Sequence, residues 1–161
     1  PVYYLSNPFE MIKVWEGGLA SHGAAIGIPF SIYLLTKKQK DKTMLWILDR
    51  VVVVVALAAV LIRLGNLFNS EILGTATDVP WAFIFARVDD VPRHPAQLYE
   101  AIFYLISFII LYFVYYKTDK KSKQGYIFGL FLVLIFGFRF FVEFLKIEQS
   151  AFEKGMILDM G

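Results

Sequence analysis

Apolar residues gather along the chain into four long runs, at about 17–36, 44–64, 96–116 and 125–145. Each approaches the roughly 20 residues that a helix needs to cross the hydrocarbon core of a bilayer. The pattern therefore predicts an all-α integral membrane protein, a polytopic helical bundle forming one membrane domain over 1–161. Between the second and third runs, residues 65–95 show no spanning pattern, and a connection of that length is usually functional when it is ordered. Within it, "VPWAFIFARV" is too short to span and rich in aromatic residues, so it reads as a short strand or interfacial arm. Pro92 and Pro95 bracket "RH" and hold the entry to the third helix extended. At the amino end, residues 1–16 read as an interfacial segment in which "NPFEMIKVWE" is a short helix. Asn7 would be its cap, Pro8 its first residue and Trp15 its anchor. Residues 146–161 read as an outer segment after the fourth span.

Composition agrees with the pattern. Hydrophobic residues make up 58% and charged residues 19%, against roughly half apolar in soluble domains. The formal net charge of +2 is too small to argue for a nucleic-acid partner. Its distribution is more informative. Lys37, Lys38, Lys40 and Lys42 follow the first run, and Lys117, Lys120, Lys121 and Lys123 follow the third. The positive-inside rule puts both loops in the cytoplasm and the arm on the periplasmic or outer side. Cysteine is absent, which excludes disulfides and cysteine metal sites, and any thiol chemistry must take its thiol from the substrate. The sequence opens on Pro1 and stops at "ILDMG", and it is expected to be a fragment of a longer protein.

Threading from the two lysine loops brings polar residues of all four spans to one depth, on the side away from the lysines. They are His22 at the first span; Arg63, Asn66, Asn69 and Glu71 at the second; Arg93, His94, Gln97, Tyr99 and Glu100 at the third; Arg139 and Glu143 at the fourth. An ionisable group inside the hydrocarbon costs at least about 2.5 kcal/mol, so convergence in one leaflet points to a polar cavity. Plainer readings stand beside this one. Arg63 snorkels to the interface; His22 is an interhelical hydrogen-bonder, and Gly23 and Gly27 serve helix packing; Glu100 pairs with Arg93, and Glu143 with Arg139. Packing alone, however, does not require four helices to share one polar level.

The blocks "RLGNLFNSEILG", "WEGGLASHGAAIG", "RHPAQLYEA" and "FGFRFFVEFLK" together resemble, in order and spacing, those of the prolipoprotein diacylglyceryl transferases. The resemblance covers nearly the whole chain and implies a larger fold of seven membrane helices with the catalytic face toward the periplasm. The first and last helices of that fold are missing from this sequence. Many members also carry a tyrosine a few residues before the arginine of the last block, where this chain has Phe136.

The resemblance implies transfer of the diacylglyceryl group from phosphatidylglycerol to the lipobox cysteine of a prolipoprotein signal peptide. A thioether forms and glycerol phosphate leaves, the first step of lipoprotein maturation in the bacterial cytoplasmic membrane. Arg63 and Arg139 suit the departing phosphate because guanidinium stays charged and offers planar donor pairs. Asn66 and Asn69 would orient the glycerol headgroup, with Glu71 on an arginine or a glycerol hydroxyl. Gly74, Arg93, His94, Gln97, Tyr99, Glu100 and Glu143 would complete the substrate site. His22 is the favoured base for the thiol, with His94, or no base beside two arginines, as alternatives. No metal or cofactor is expected; the expected partners are phosphatidylglycerol, the signal peptide and membrane lipids. The competing class is a non-catalytic lipid-binding or transporter subunit with an anion-binding cavity. A permeation path would need polar residues in the inner half as well, where only Asp49 and Arg50 stand, and these read as interfacial.

Overall fold

The computed structural model describes residues 21–39 and 41–146, with side chains from residue 26 onward except that of Lys121. The expected interfacial segment 1–16, the beginning of the first span and the segment 147–161 lie outside the described residues. The chain forms two compact units, residues 1–44 and 45–161. In the first, α1 covers Ser21–Lys38 and ends on Lys37 and Lys38. The second holds α2 (Met44–Asn69), β1 (Phe83–Ile84), β2 (Pro92–Arg93), α3 (Ala96–Lys117), a 3₁₀ turn (Asp119–Ser122) and α4 (Tyr126–Glu143). Among the described residues α2, α3 and α4 are long and apolar enough to cross a membrane. The described part of the first span, closing on two lysines, falls short of that standard.

The helices meet along narrow stripes and turn the rest of their surface outward. Val52, Val53 and Ala56 of α2, Leu111 of α3 and Ile127 of α4 form one buried cluster, and Val60, Ala101 and Tyr104 form a second. Phe103 stacks on Phe138 with ring centroids 3.8 Å apart, joining α3 to α4. Leu61, Ile62, Ile102, Ile109, Val133 and Phe141 are exposed. In water such a surface would be a liability, whereas lipid tails solvate it.

At its carboxyl end α2 runs five residues beyond the expected limit of 64. Its 26 residues reach about 39 Å at 1.5 Å each, more than the hydrocarbon core requires. Gly65 is therefore inside the helix, with open space beside its Cα. The turn comes at Ser70, in the left-handed region with φ 58°. The Ser70 N–H donates to Leu67 O, and the Glu71 N–H donates to Asn66 O at 2.9 Å. This pair of bonds is a Schellman closure, with serine where glycine is usual. It folds Glu71 back over the last turn of the helix.

The arm after this turn is tied at both edges. β1 and β2 pair antiparallel, Phe83 opposite Arg93 and Ile84 opposite Pro92; a short strand is expected in the aromatic arm, and the extended entry at Pro92 supplies its partner. Gly74 and Ala76 make single bridges to Lys146 and Arg93. The Thr75 N–H donates to Leu145 O at 2.8 Å, and the His94 N–H donates back to Thr75 O at 3.0 Å. Residues 74–77 thus lie between the strand that leads into α3 and the chain leaving α4. Here glycine is required: a Cβ on Gly74 would sit 2.1 Å from the His94 carbonyl oxygen.

Candidate functional site

Arg63 enters the interior one turn and a half before the end of α2. It is not a snorkelling side chain, being 8% exposed. Its Nε lies 3.0 Å from Oε2 of Glu100, which opens the second turn of α3 and is fully buried. That oxygen has no aligned hydrogen-bond donor among the described residues, so the contact is a close ion pair rather than a directed bond. Glu100 Oε1 meets Lys146 Nζ at 3.1 Å, and the same ammonium reaches Glu143 Oε2 at 3.2 Å. Arg139, one turn before Glu143 on α4, approaches that carboxylate only to 3.8 Å, and its side chain is 28% exposed. Three cations and two carboxylates thus share one buried cluster drawn from α2, α3 and α4. Arg139 is its most loosely held and most accessible charge.

Beside the cluster three side-chain amides gather around Glu71. Asn66 Nδ2 donates to Glu71 Oε2 at 2.8 Å, with Asn69 Nδ2 at 3.5 Å from the other oxygen. Gln97 is fully buried and donates to Glu71 O at 2.6 Å. The Schellman turn thereby gathers both asparagines and Gln97 around one carboxylate residue. Asn66 Oδ1, Gln97 Oε1 and Glu143 Oε1 are buried acceptors without a hydrogen-bond partner among the described residues. Such groups are costly in a membrane interior and mark places where a donor is wanted. Further out, Trp81 Nε1 donates to the Tyr99 hydroxyl at 2.8 Å, and that hydroxyl lies 3.2 Å from His94 Nδ1.

Arg93 stands apart from this ensemble. Its guanidinium grips Asp89 within the arm, with Nε 3.3 Å from Oδ1 and Nη2 on Oδ2, and it does not pair with Glu100. The Arg93 guanidinium holds the Asp89 carboxyl below its ordinary range, a backbone N–H from Val91 adding to the effect. Reciprocally, Asp89 raises Arg93. Among the described residues no group of three or more histidines and carboxylates is close enough to hold a metal ion.

The model of one protein family, prolipoprotein diacylglyceryl transferase, matches residues 2–161 of this sequence. The chain belongs to the prolipoprotein diacylglyceryl transferase family. Its relatives include phosphatidylglycerol–prolipoprotein diacylglyceryl transferases of Tolumonas auensis (45% identical), Chloroherpeton thalassium (48%) and Bacteroides fragilis (49%), each match covering all of this chain. The chain spans 60–62% of the length of these curated relatives.

Within this transferase-family chain the sequence-expected residues fall into three groups. Arg63, Glu100, Arg139 and Glu143 come together in the ion cluster; Asn66, Asn69 and Gln97 gather around Glu71; His94 and Tyr99 are joined to each other. Gly74 is explained by the close crossing at His94. His22 lies within the backbone of α1, but its side chain lies outside the described residues. Lys146 is the residue that sequence reasoning passed over. It follows Glu143 by three positions but lies past the end of α4, where helical spacing gives no guide to its direction.

Proposed function

We propose that this protein transfers the diacylglyceryl group of phosphatidylglycerol to the cysteine thiol of a prolipoprotein lipobox, at the outer side of the bacterial cytoplasmic membrane. The reading is carried by one observation: a cluster in which, among the described residues, three cations, Arg63, Arg139 and Lys146, lie within ion-pair reach of two carboxylates, Glu100 and Glu143. A site with surplus positive charge in a low-dielectric setting favours an anion. The names of the relatives support a phosphatidylglycerol substrate.

In the proposed reaction the substrate thiolate attacks the glycerol carbon that bears the phosphate ester. A carbon–sulfur bond forms and the carbon–oxygen bond breaks, its electron pair leaving on glycerol phosphate. Arg139, loosely paired and accessible, is assigned to the departing phosphate, with Arg63 behind it and held in place by Glu100. Asn66 and Gln97, with their unpartnered acceptors, are assigned to the glycerol hydroxyls, and Asn69, Glu71 and Gly74 to shaping that pocket. Arg93 acts only through the arm.

Proton removal from the thiol is assigned to His22. The geometry at His94 supports that choice: its Nδ1 is already engaged at 3.2 Å with the Tyr99 hydroxyl, which accepts from Trp81 Nε1.

The test uses the full-length protein in nanodiscs with phosphatidylglycerol and a lipobox peptide, following glycerol phosphate release. Arg139→Ala should lower turnover by about 10²–10³-fold, the usual cost of losing one preorganised donor to developing charge. Unchanged release in a folded Arg139→Ala protein would remove the assignment.

A further inference from the structure

A second candidate site lies at the opposite, lysine-rich end of the same unit. There a groove of about 450 Å³ runs between α2 and α3, lined by Arg50, Val53, Val54, Leu57, Phe108 and three tyrosines. The tyrosines, Tyr112, Tyr115 and Tyr116, form an aromatic wall, with Tyr112 and Tyr116 centroids 4.5 Å apart and Tyr115 edge-on to Tyr116 at 4.9 Å. At its polar end sits Arg50, whose guanidinium carbon lies 3.4 Å over the Trp46 ring and 5.8 Å from that of Tyr115. One guanidinium nitrogen donates to Trp46 O at 2.7 Å.

Arg50 has no carboxylate within ion-pair distance among the described residues. Its neighbour Asp49 offers none, because both Asp49 oxygens accept backbone N–H groups from the start of α4, Gly125 at 2.7 Å and Phe128 at 2.8 Å. The cation is thus fixed in direction by stacking and half-buried, with no counter-ion in contact among the described residues. Toward the same end Lys117 closes α3 and Lys120 rests over Tyr126. The groove combines apolar and aromatic walls sized for part of an acyl chain with a guanidinium at one end.

We infer that this groove binds one anionic phospholipid from the leaflet at the lysine-rich end, its phosphate on Arg50 and an acyl chain against Leu57 and Phe108. Charge complementarity selects the occupant. A packed apolar helix would leave the guanidinium buried without an anion, whereas a lipid phosphate supplies bidentate acceptors beside an apolar tail. The site is independent of the transfer reaction, since it lies at the other end of the helices from the ion cluster.

The test is photolabelling of the full-length protein in nanodiscs with phosphatidic acid carrying a diazirine on its acyl chain, against the matching phosphatidylcholine, with the labelled residues mapped by mass spectrometry. Phosphatidic acid should label Val54, Leu57 and Phe108, and Arg50→Gln should cut that labelling about fivefold, the contribution typical of one basic group at an anionic lipid surface. Leu57→Trp, which fills the groove and leaves Arg50 intact, should abolish it, so the inference does not rest on one variant folding. Equal labelling by phosphatidylcholine, or labelling indifferent to Arg50→Gln, would mean ordinary annular lipid and overturn it. A folded wild type without label in the groove would mean that another protein segment fills it, which overturns it equally.

Discussion

Asp49 and Glu100 are both carboxylates buried in the membrane-spanning unit, one toward each end, at 1% and 0% exposure. Asp49 is consumed by the backbone. Its two oxygens take the Gly125 and Phe128 N–H groups, closing the start of α4 where the helix dipole is positive. Glu100 instead meets two side-chain cations, Arg63 and Lys146, in a cluster that also includes Glu143 and Arg139. The contrast separates two uses of a buried charge. A carboxylate whose lone pairs are filled by amides is a fastener, with nothing left for a ligand. One held among surplus cations leaves net charge and unpartnered atoms at the same spot, which is what a ligand site requires. The same contrast weighs against a permeation path, because the fastener occupies the half of the bundle where a transport route would need accessible polar groups.

The largest expected effect tests the cluster end. Glu100→Ala leaves Arg63 and Lys146 facing one another without their shared counter-ion, and stability should fall by about 3–5 kcal/mol, read from the unfolding midpoint in detergent. An unchanged midpoint would show that the two cations are already compensated elsewhere, and the comparison would lose one side. Next comes the fastener. Asp49→Ala strips two helix-start N–H groups of their acceptor and should cost about 1–3 kcal/mol, with transfer per folded molecule unaltered. A loss of transfer greater than the loss of folded protein would mean that the two ends are coupled.

The smallest effect concerns Asp89 and Arg93, a half-buried pair in the arm. Because Arg93 holds the Asp89 carboxyl below its ordinary value of 3.8, the pair contributes order to the arm above that value. The contribution is lost as pH falls through the lowered value in the folded protein. Protease cleavage of the arm should therefore rise at strongly acid pH in the wild type, and Asp89→Asn should flatten that rise. Because the pair is solvent-screened, the change should be modest; a steep acid response that survives Asp89→Asn would assign it to the buried carboxylates.

Much of this arrangement was legible in the residues, because lipid imposes a strong pattern on sequence. Runs of apolar residues located α2, α3 and α4, and the expense of intramembrane charge singled out Arg63, Glu100, Arg139 and Glu143. The failures have a common physical origin. Hydropathy reports where lipid ends but not where a helix ends, so α2 was cut at 64 although its amphipathic last turn continues to Asn69. Partner choice is equally invisible to depth: Arg93 and Glu100 share a level, yet the hairpin turns Arg93 back to Asp89. Lys146 escaped because it lies past the last helical residue, and only the strand-like contact of Leu145 and Lys146 with the arm directs it inward. Asp49 was read as interfacial because a carboxylate near a helix end usually is. Its partners belong to a helix start 76 residues later.

The bridge between Gly74 and Lys146 also has a meaning for biosynthesis. While the chain is being made and inserted, Arg63 and Glu100 enter the membrane before α4 has been synthesised. The pair can form at that stage, but Lys146, Glu143 and Arg139 are still on the ribosome. Nascent chains therefore hold a neutral couple, and net positive charge arises only when the chain leaving α4 docks against the arm. The complete cluster is thus the product of the last described helix, since Lys146, Glu143 and Arg139 all come from α4 and the residues that leave it.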